Sequence, residues 1–168
     1  GDNSLILTLQ LDLASNDRMT GTVSDGTWLA DLQADRAVFD AARNPSRLAG
    51  NYTLIFPGSG NPGDPGVPLG DGYGAVTVER SGRLRLHGAL ADGERLAHTA
   101  WVSRDGRWPL YAPVHRGQGQ LLGWLTFTAT VDEDVGGKVN WIKPPSAAAR
   151  FYPAGFNLDL QATGSAYT

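Results

Sequence analysis

The fold of this chain is decided by residues 73–115, which read YGAVTVERSGRLRLHGALADGERLAHTAWVSRDGRWPLYAPVH. Three turn signals divide this stretch, namely Arg80-Ser81-Gly82, Asp92-Gly93 and Asp105-Gly106. Between the turns, apolar and polar side chains alternate with a period of two, which is the pattern of a β-strand with one buried face. Because short turns between such strands form antiparallel hairpins, the stretch predicts four consecutive strands.

The same pattern continues on both sides of this stretch. Toward the N-terminus, leucines at every second position from Leu5 to Leu13 predict a first strand, and residues 18–24 predict its returning partner. Toward the C-terminus, strands are predicted over residues 120–131 and 138–142. A strand over residues 51–56 precedes a long loop rich in proline and glycine. Residues 1–168 are therefore predicted to form a single all-β domain.

About ten antiparallel strands must each bury one face, and two architectures achieve this. Because sequential hairpins dominate, we predict an up-and-down β-barrel, with a two-sheet β-sandwich as the alternative. We expect the C-terminal tail, residues 146–168, to dock on this body. Two groups of side chains are predicted to be buried together: Trp108, Leu110, Leu125 and Phe127 form one group, and Leu7, Leu9, Leu11, Val23 and Trp28 form the other.

Two segments of the chain resemble each other. Residues 21–30 read GTVSDGTWLA and residues 88–97 read GALADGERLA, with five of ten positions identical. Because some of the matches lie outside the Asp-Gly turn, they indicate an internal repeat that covers about residues 5–39 and 73–108. Since residues 51–56 have no counterpart before the first copy, we expect the chain to be part of a larger polypeptide.

Composition and charge exclude several classes of protein. The 168 residues carry 14 basic and 17 acidic side chains, and a net charge of −3 argues against a partner rich in phosphate such as nucleic acid. No apolar run approaches the length of a membrane-spanning helix, and there is no cysteine for disulfide or thiolate chemistry. Since no phosphate-binding loop and no nucleophile motif occur, we predict neither a cofactor nor enzymatic activity.

The three histidines of the chain suggest an alternative function. A two-residue turn at Asp92-Gly93 would place His87 opposite His98, and the next turn would place His115 one diagonal step from His98. Imidazoles at such spacing can share a metal ion, so a small metal-dependent hydrolase is the alternative function. Surface histidines without a specific role are the simpler interpretation.

Two aromatic residues are predicted on the face that points away from the core. A four-residue loop over residues 116–119 would place Tyr111 opposite Trp124, close to Pro109, Pro113 and Leu122. An exposed apolar patch usually marks an interface or a ligand platform, and flat rings suit stacking against sugars. The alternative is that the C-terminal tail covers the patch. The candidate ligand-binding residues are Tyr111, Trp124, His87, His98 and His115.

Several motifs of the chain resemble those of a known domain family. They are Gly72-Tyr73-Gly74, Arg107-Trp108-Pro109-Leu110-Tyr111, Leu122-Gly123-Trp124-Leu125 and Trp141-Ile142-Lys143-Pro144-Pro145. They resemble a β-rich domain near the C-termini of large secreted and cell-surface proteins of environmental bacteria. The resemblance implies an extracellular or cell-surface location and a modular role, without any known activity. We therefore predict a non-catalytic binding or spacer module whose partners are a polysaccharide or neighbouring domains.

Overall fold

The computed structural model describes residues 4–11, 17–58, 66–128 and 134–167. The chain divides into two compact units, residues 1–38 and residues 39–168. Both units are built from antiparallel strands, which confirms the all-β prediction. Among the described residues, no helix has the length and apolar character needed to cross a membrane.

The first unit is a three-stranded sheet. Its strands are β1 (Ile6–Leu11), β2 (Arg18–Ser24) and β3 (Leu29–Asp35), paired in that order. The prediction that Leu7, Leu9, Leu11, Val23 and Trp28 form a buried group is wrong. The three leucines and Trp28 are all about half exposed, and Val23 is only partly buried. A period of two predicts a strand correctly, but a small sheet by itself has no second layer to cover its apolar face.

The second unit is an eight-stranded antiparallel sheet that is nearly closed into a barrel, as predicted. The order around the sheet is β7-β6-β5-β4-β11-β10-β9-β8, so β11 lies between β4 and β10. A short 3₁₀ turn, His115–Gly117, joins β8 to β9. The strands are β4 (Gly50–Phe56), β5 (Gly72–Val78), β6 (Arg83–Ala89), β7 (Arg95–Trp101), β8 (Arg107–Val114), β9 (Gly119–Phe127), β10 (Val135–Lys143) and β11 (Phe156–Tyr167).

The core of this unit lies inside the barrel. Alternate residues of each strand point inward, and they include the predicted group Trp108, Leu110, Leu125 and Phe127, all of which are buried. The rings of Trp108 and Phe127 stack with their centroids 6.2 Å apart. The predicted inner face of β8 and β9 is therefore confirmed.

The three turns within residues 73–115 share one construction. Each ends on a glycine in the left-handed region, with φ of 77° at Gly82, 84° at Gly93 and 75° at Gly106. The turn between β6 and β7 is closed by the N–H of Leu90, which donates to the carbonyl of Glu94 at 2.9 Å. It therefore contains three residues rather than the predicted two. The extra residue shifts the register by one position, and in a strand such a shift reverses which face a side chain occupies.

The barrel stays open between β7 and β8. Every other pair of neighbouring strands in the sheet is joined by a ladder of backbone hydrogen bonds. The carbonyl of Pro109 faces β7, and a proline offers no N–H to that edge. The His98 side chain bridges the gap instead, because its Nε2 lies 3.3 Å from the Pro109 carbonyl oxygen and its ring stacks on Trp108.

Candidate functional site

The outer surface of the barrel at β7, β8 and β9 carries exposed aromatic side chains. Tyr111 is 59% exposed and Trp124 is 38% exposed. Trp101 is exposed as well, at the end of β7 where the turn to β8 begins. We call this surface the aromatic face, defined by Trp101, Pro109, Tyr111 and Trp124. The exposure of these aromatic side chains shows that the described part of the C-terminal tail, whose strand β11 pairs between β4 and β10, does not cover the aromatic face.

Tyr111 and Trp124 are diagonal neighbours, so the prediction that they face each other is wrong. Trp124 lies opposite Pro109, and Tyr111 lies opposite Leu122. The register differs by two positions because the loop between β8 and β9 already begins at His115. An even shift keeps every side chain on its face, so both aromatic residues still point outward as predicted.

A cation lies over one of these aromatic rings. The guanidinium carbon of Arg107 is 4.5 Å from the centroid of the Trp124 ring. A guanidinium over an indole is an attractive cation–π contact. It holds the Trp124 ring in place against the sheet and adds a positive charge at the edge of the aromatic face.

The three histidines do not share a face. His87 lies opposite Ala97 and points outward, whereas His98 lies opposite Leu86 and points toward the core. His115 lies in the turn at the end of β8. The predicted pairing of His87 with His98 is wrong because of the three-residue turn between β6 and β7. Within the described ranges, no group of three or more His, Cys, Asp or Glu side chains is placed to hold a metal ion.

A second cluster of polar side chains lies at one end of the barrel. It consists of Asp92 in the turn between β6 and β7, Glu94 just after it, His115 after β8, and Lys143 at the end of β10. These positions meet because alternate connections of an up-and-down barrel lie at the same end. We call these four residues the mouth cluster.

The mouth cluster is tightly connected. Lys143 Nζ lies 3.1 Å from Asp92 Oδ2 and 3.4 Å from His115 Nδ1. The backbone N–H of Glu94 donates to Asp92 Oδ1 at 3.1 Å, and the backbone N–H of His115 donates to Glu94 Oε1 at 2.8 Å. The side chains of Lys143 and Asp92 are only 8% and 2% exposed. Two charge-bearing groups are therefore largely removed from water.

Burial determines the electrostatic state of His115. It lowers the pKa of the His115 imidazole below its ordinary value, since water no longer solvates the charged form. The carboxylate of Asp92 opposes this shift, Lys143 adds to it, and Glu94 also opposes it. His115 stacks nearly parallel on the buried ring of Trp141, with centroids 6.5 Å apart. The ring is thus held as a neutral base between an amine and a carboxyl group.

The backbone beside His115 is strained. His115 and the adjacent Arg116 adopt φ of 51° and 60°, a left-handed conformation that residues other than glycine rarely adopt. Such strain persists only where the surrounding structure imposes it, and it is frequent at functional sites. The mouth cluster opens into a cleft of about 450 Å³, whose wall also includes Arg150 and Phe151.

Lys143 and Asp92 were not predicted as functional residues, although the sequence contains one signal for them. Val139, Trp141 and Lys143 alternate along β10, so a period of two places Lys143 on the same inward face as two core residues. Lysine is almost never buried without a partner. The position of Lys143 therefore predicts a buried carboxylate nearby, but only the fold shows that this group is Asp92.

Comparisons with known proteins identify no relative, since no family model, no curated protein and no solved structure matches the chain.

Proposed function

We propose that this chain is a non-catalytic extracellular binding module of a larger bacterial secreted or cell-surface protein, and that its aromatic face binds polysaccharide. The observation that carries the proposal is that Tyr111 and Trp124 stay exposed on two strands whose other face is completely packed. The motifs that resemble a domain of large secreted proteins support the location and the modular role.

The chemistry of the aromatic face favours a sugar as the ligand. Trp101, Tyr111 and Trp124 present rigid flat surfaces, and Pro109 lies on β8 opposite Trp124. The C–H face of a pyranose ring is flat and apolar, so it stacks on such rings, while its hydroxyl groups remain in water. Arg107 provides a donor and a positive charge at the edge, which suits a hydroxyl-rich or carboxylate-bearing chain.

The metal-dependent hydrolase has no structural observation in its favour. It requires His87, His98 and His115 on one face, and these side chains point outward, inward and into the mouth cluster. His87, His98 and His115 are therefore not part of the proposed polysaccharide site.

The proposal predicts that Trp124→Ala weakens binding at least tenfold for the glycan that the wild-type protein binds, without unfolding the barrel. Aromatic side chains at the centre of a binding surface carry much of the binding energy, which explains the expected size. A panel of bacterial and plant polysaccharides measured with wild type, Trp124→Ala and Tyr111→Ala provides the test.

Tyr73→Ala is the control, because Tyr73 is an exposed aromatic residue on the outer face of another strand, β5. Equal binding by Trp124→Ala and Tyr73→Ala would contradict the proposed site. Binding of a protein domain in place of every glycan would show that the aromatic face is an interface between domains.

A further inference from the structure

The closest contact between two side chains of the mouth cluster joins the two groups from which an amide can form. Lys143 carries a primary amine and Asp92 a carboxyl group, and Nζ lies 3.1 Å from Oδ2. Both side chains are held on separate elements, the end of β10 and the turn between β6 and β7. Reacting groups held in contact by a rigid fold react as if they were at very high concentration.

Amide formation from this pair begins with a proton transfer between two groups that lie in direct contact. An ammonium and a carboxylate that are taken out of water lose solvation, and transfer of one proton between them gives a neutral amine and a neutral carboxylic acid. The neutral amine is the nucleophile, and the neutral acid has a leaving group that can depart as water. The 3.1 Å contact between Nζ and Oδ2 gives this proton a direct path from the amine to the carboxyl group.

Two further groups are placed where amide formation needs them. The backbone N–H of Glu94 donates to Asp92 Oδ1, where it would stabilise the negative charge of a tetrahedral intermediate. His115 spans the pair, because Nδ1 lies 3.4 Å from Lys143 Nζ and Nε2 lies 3.5 Å from Asp92 Oδ2. A neutral imidazole in this position can accept a proton at one nitrogen and donate one at the other.

We propose that Lys143 and Asp92 join in an intramolecular isopeptide bond, formed by the folded chain itself with His115 as proton shuttle. The bond links the end of β10 to the turn between β6 and β7. It is a covalent modification of the mouth cluster and does not depend on what the aromatic face binds.

The reaction balances with the groups present. Nζ of neutral Lys143 attacks Cγ of protonated Asp92, and the excess proton of the amine passes to Nδ1 of His115. Nε2 of His115 gives its proton to Oδ2, the Cγ–Oδ2 bond breaks, and Oδ2 leaves as water. The imidazole ends neutral, with its proton on Nδ1, where Glu94 Oε2 lies 3.7 Å away and favours this tautomer. One C–N bond forms, one water leaves, and no oxidant or activating group is consumed.

The intact mass of the purified full-length chain tests the proposal directly. If the bond forms, the chain is lighter than its sequence mass by one water molecule. Trypsin then yields a branched peptide that joins residues 86–95, which contain Asp92, to residues 139–150, which contain Lys143. Tandem mass spectrometry of this peptide locates the bond. A folded chain that keeps its full sequence mass after prolonged incubation would overturn the proposal.

Variants separate the bond from the ion pair. Lys143→Arg keeps a positive charge but cannot form the bond, so it retains the full mass. Lys138→Arg is the matched control, because Lys138 is the only other lysine of the chain and is exposed on the same strand. Asp92→Asn should still react, with loss of one ammonia in place of one water. A mass deficit that persists in Lys143→Arg would show that another group reacts, and would also overturn the assignment.

The rate of bond formation tests the role of His115. His115→Phe keeps a ring against Trp141 but removes both nitrogens, so bond formation in the refolded chain should slow at least tenfold. Near-ultraviolet circular dichroism checks that this variant folds. Unchanged kinetics in a folded His115→Phe chain would exclude His115 as the shuttle, while the mass of the wild type decides independently whether the bond exists.

Discussion

A single side chain, that of His98, bridges the gap between β7 and β8. His98 lies where the backbone ladder between β7 and β8 is interrupted, and its imidazole contacts the carbonyl of Pro109 and the ring of Trp108. Burial lowers the pKa of His98, and the backbone contacts with Pro109 and Tyr111 oppose the shift without reversing it. The folded chain therefore holds His98 in its neutral form.

This state of His98 predicts a pH dependence of stability. Because the pKa of His98 is lower in the folded than in the unfolded chain, the unfolded chain binds more protons as the pH falls below the ordinary histidine value of 6.5. The free energy of unfolding should then decrease from that pH until the folded-state pKa is passed. His115, whose pKa is also lowered, contributes with the same sign.

Urea unfolding at a series of pH values measures this effect. His98→Gln should reduce the slope of stability against pH relative to the wild type. An unchanged slope in His98→Gln would mean that protonation of His98 does not oppose folding.

The turns between strands determine how much of the strand pairing the sequence could predict. The period of two located the strands and the inner face of β8 and β9, since alternation is a local property. The pairing of β6 with β7 was wrong because a turn ending in Gly93 fits either two or three residues. That single residue separated His87 from His98. The mouth cluster was not predicted because its members come from three connections that only the closed barrel brings together.

The inner face of β8 gives a prediction about stability. Leu110 is buried inside the barrel, so Leu110→Ala should lower the free energy of unfolding by about 2–5 kcal/mol, because it removes buried methyl groups and leaves a cavity. Ile55→Ala on the exposed outer face of β4 is the control, with an expected change below about 1 kcal/mol. A similar loss in both variants would mean that the two faces are packed to the same degree.

At the scale of the whole chain, the proposed bond would act mainly on the unfolded state. A link between residues 92 and 143 closes a loop that contains β7, β8, β9 and β10. Such a loop restricts the unfolded chain, whereas the folded barrel already holds the two ends together. Since no backbone ladder joins β7 to β8, this link would limit how far the sheet can open there.

Unfolding of wild type and Lys143→Arg in urea, followed by tryptophan fluorescence, tests this effect on stability. A loop of about 50 residues stabilises by about 4 kcal/mol in the chain-entropy model, so the midpoint of Lys143→Arg should be lower. Loss of an ion pair alone would also lower the midpoint.

The slope of the unfolding free energy against urea concentration distinguishes the two cases, since a cross-linked unfolded chain exposes less surface and gives a smaller slope. A smaller slope in the wild type than in Lys143→Arg therefore indicates the covalent link. Equal slopes with a lower midpoint would mean that Lys143 and Asp92 contribute only as an ion pair of the folded barrel.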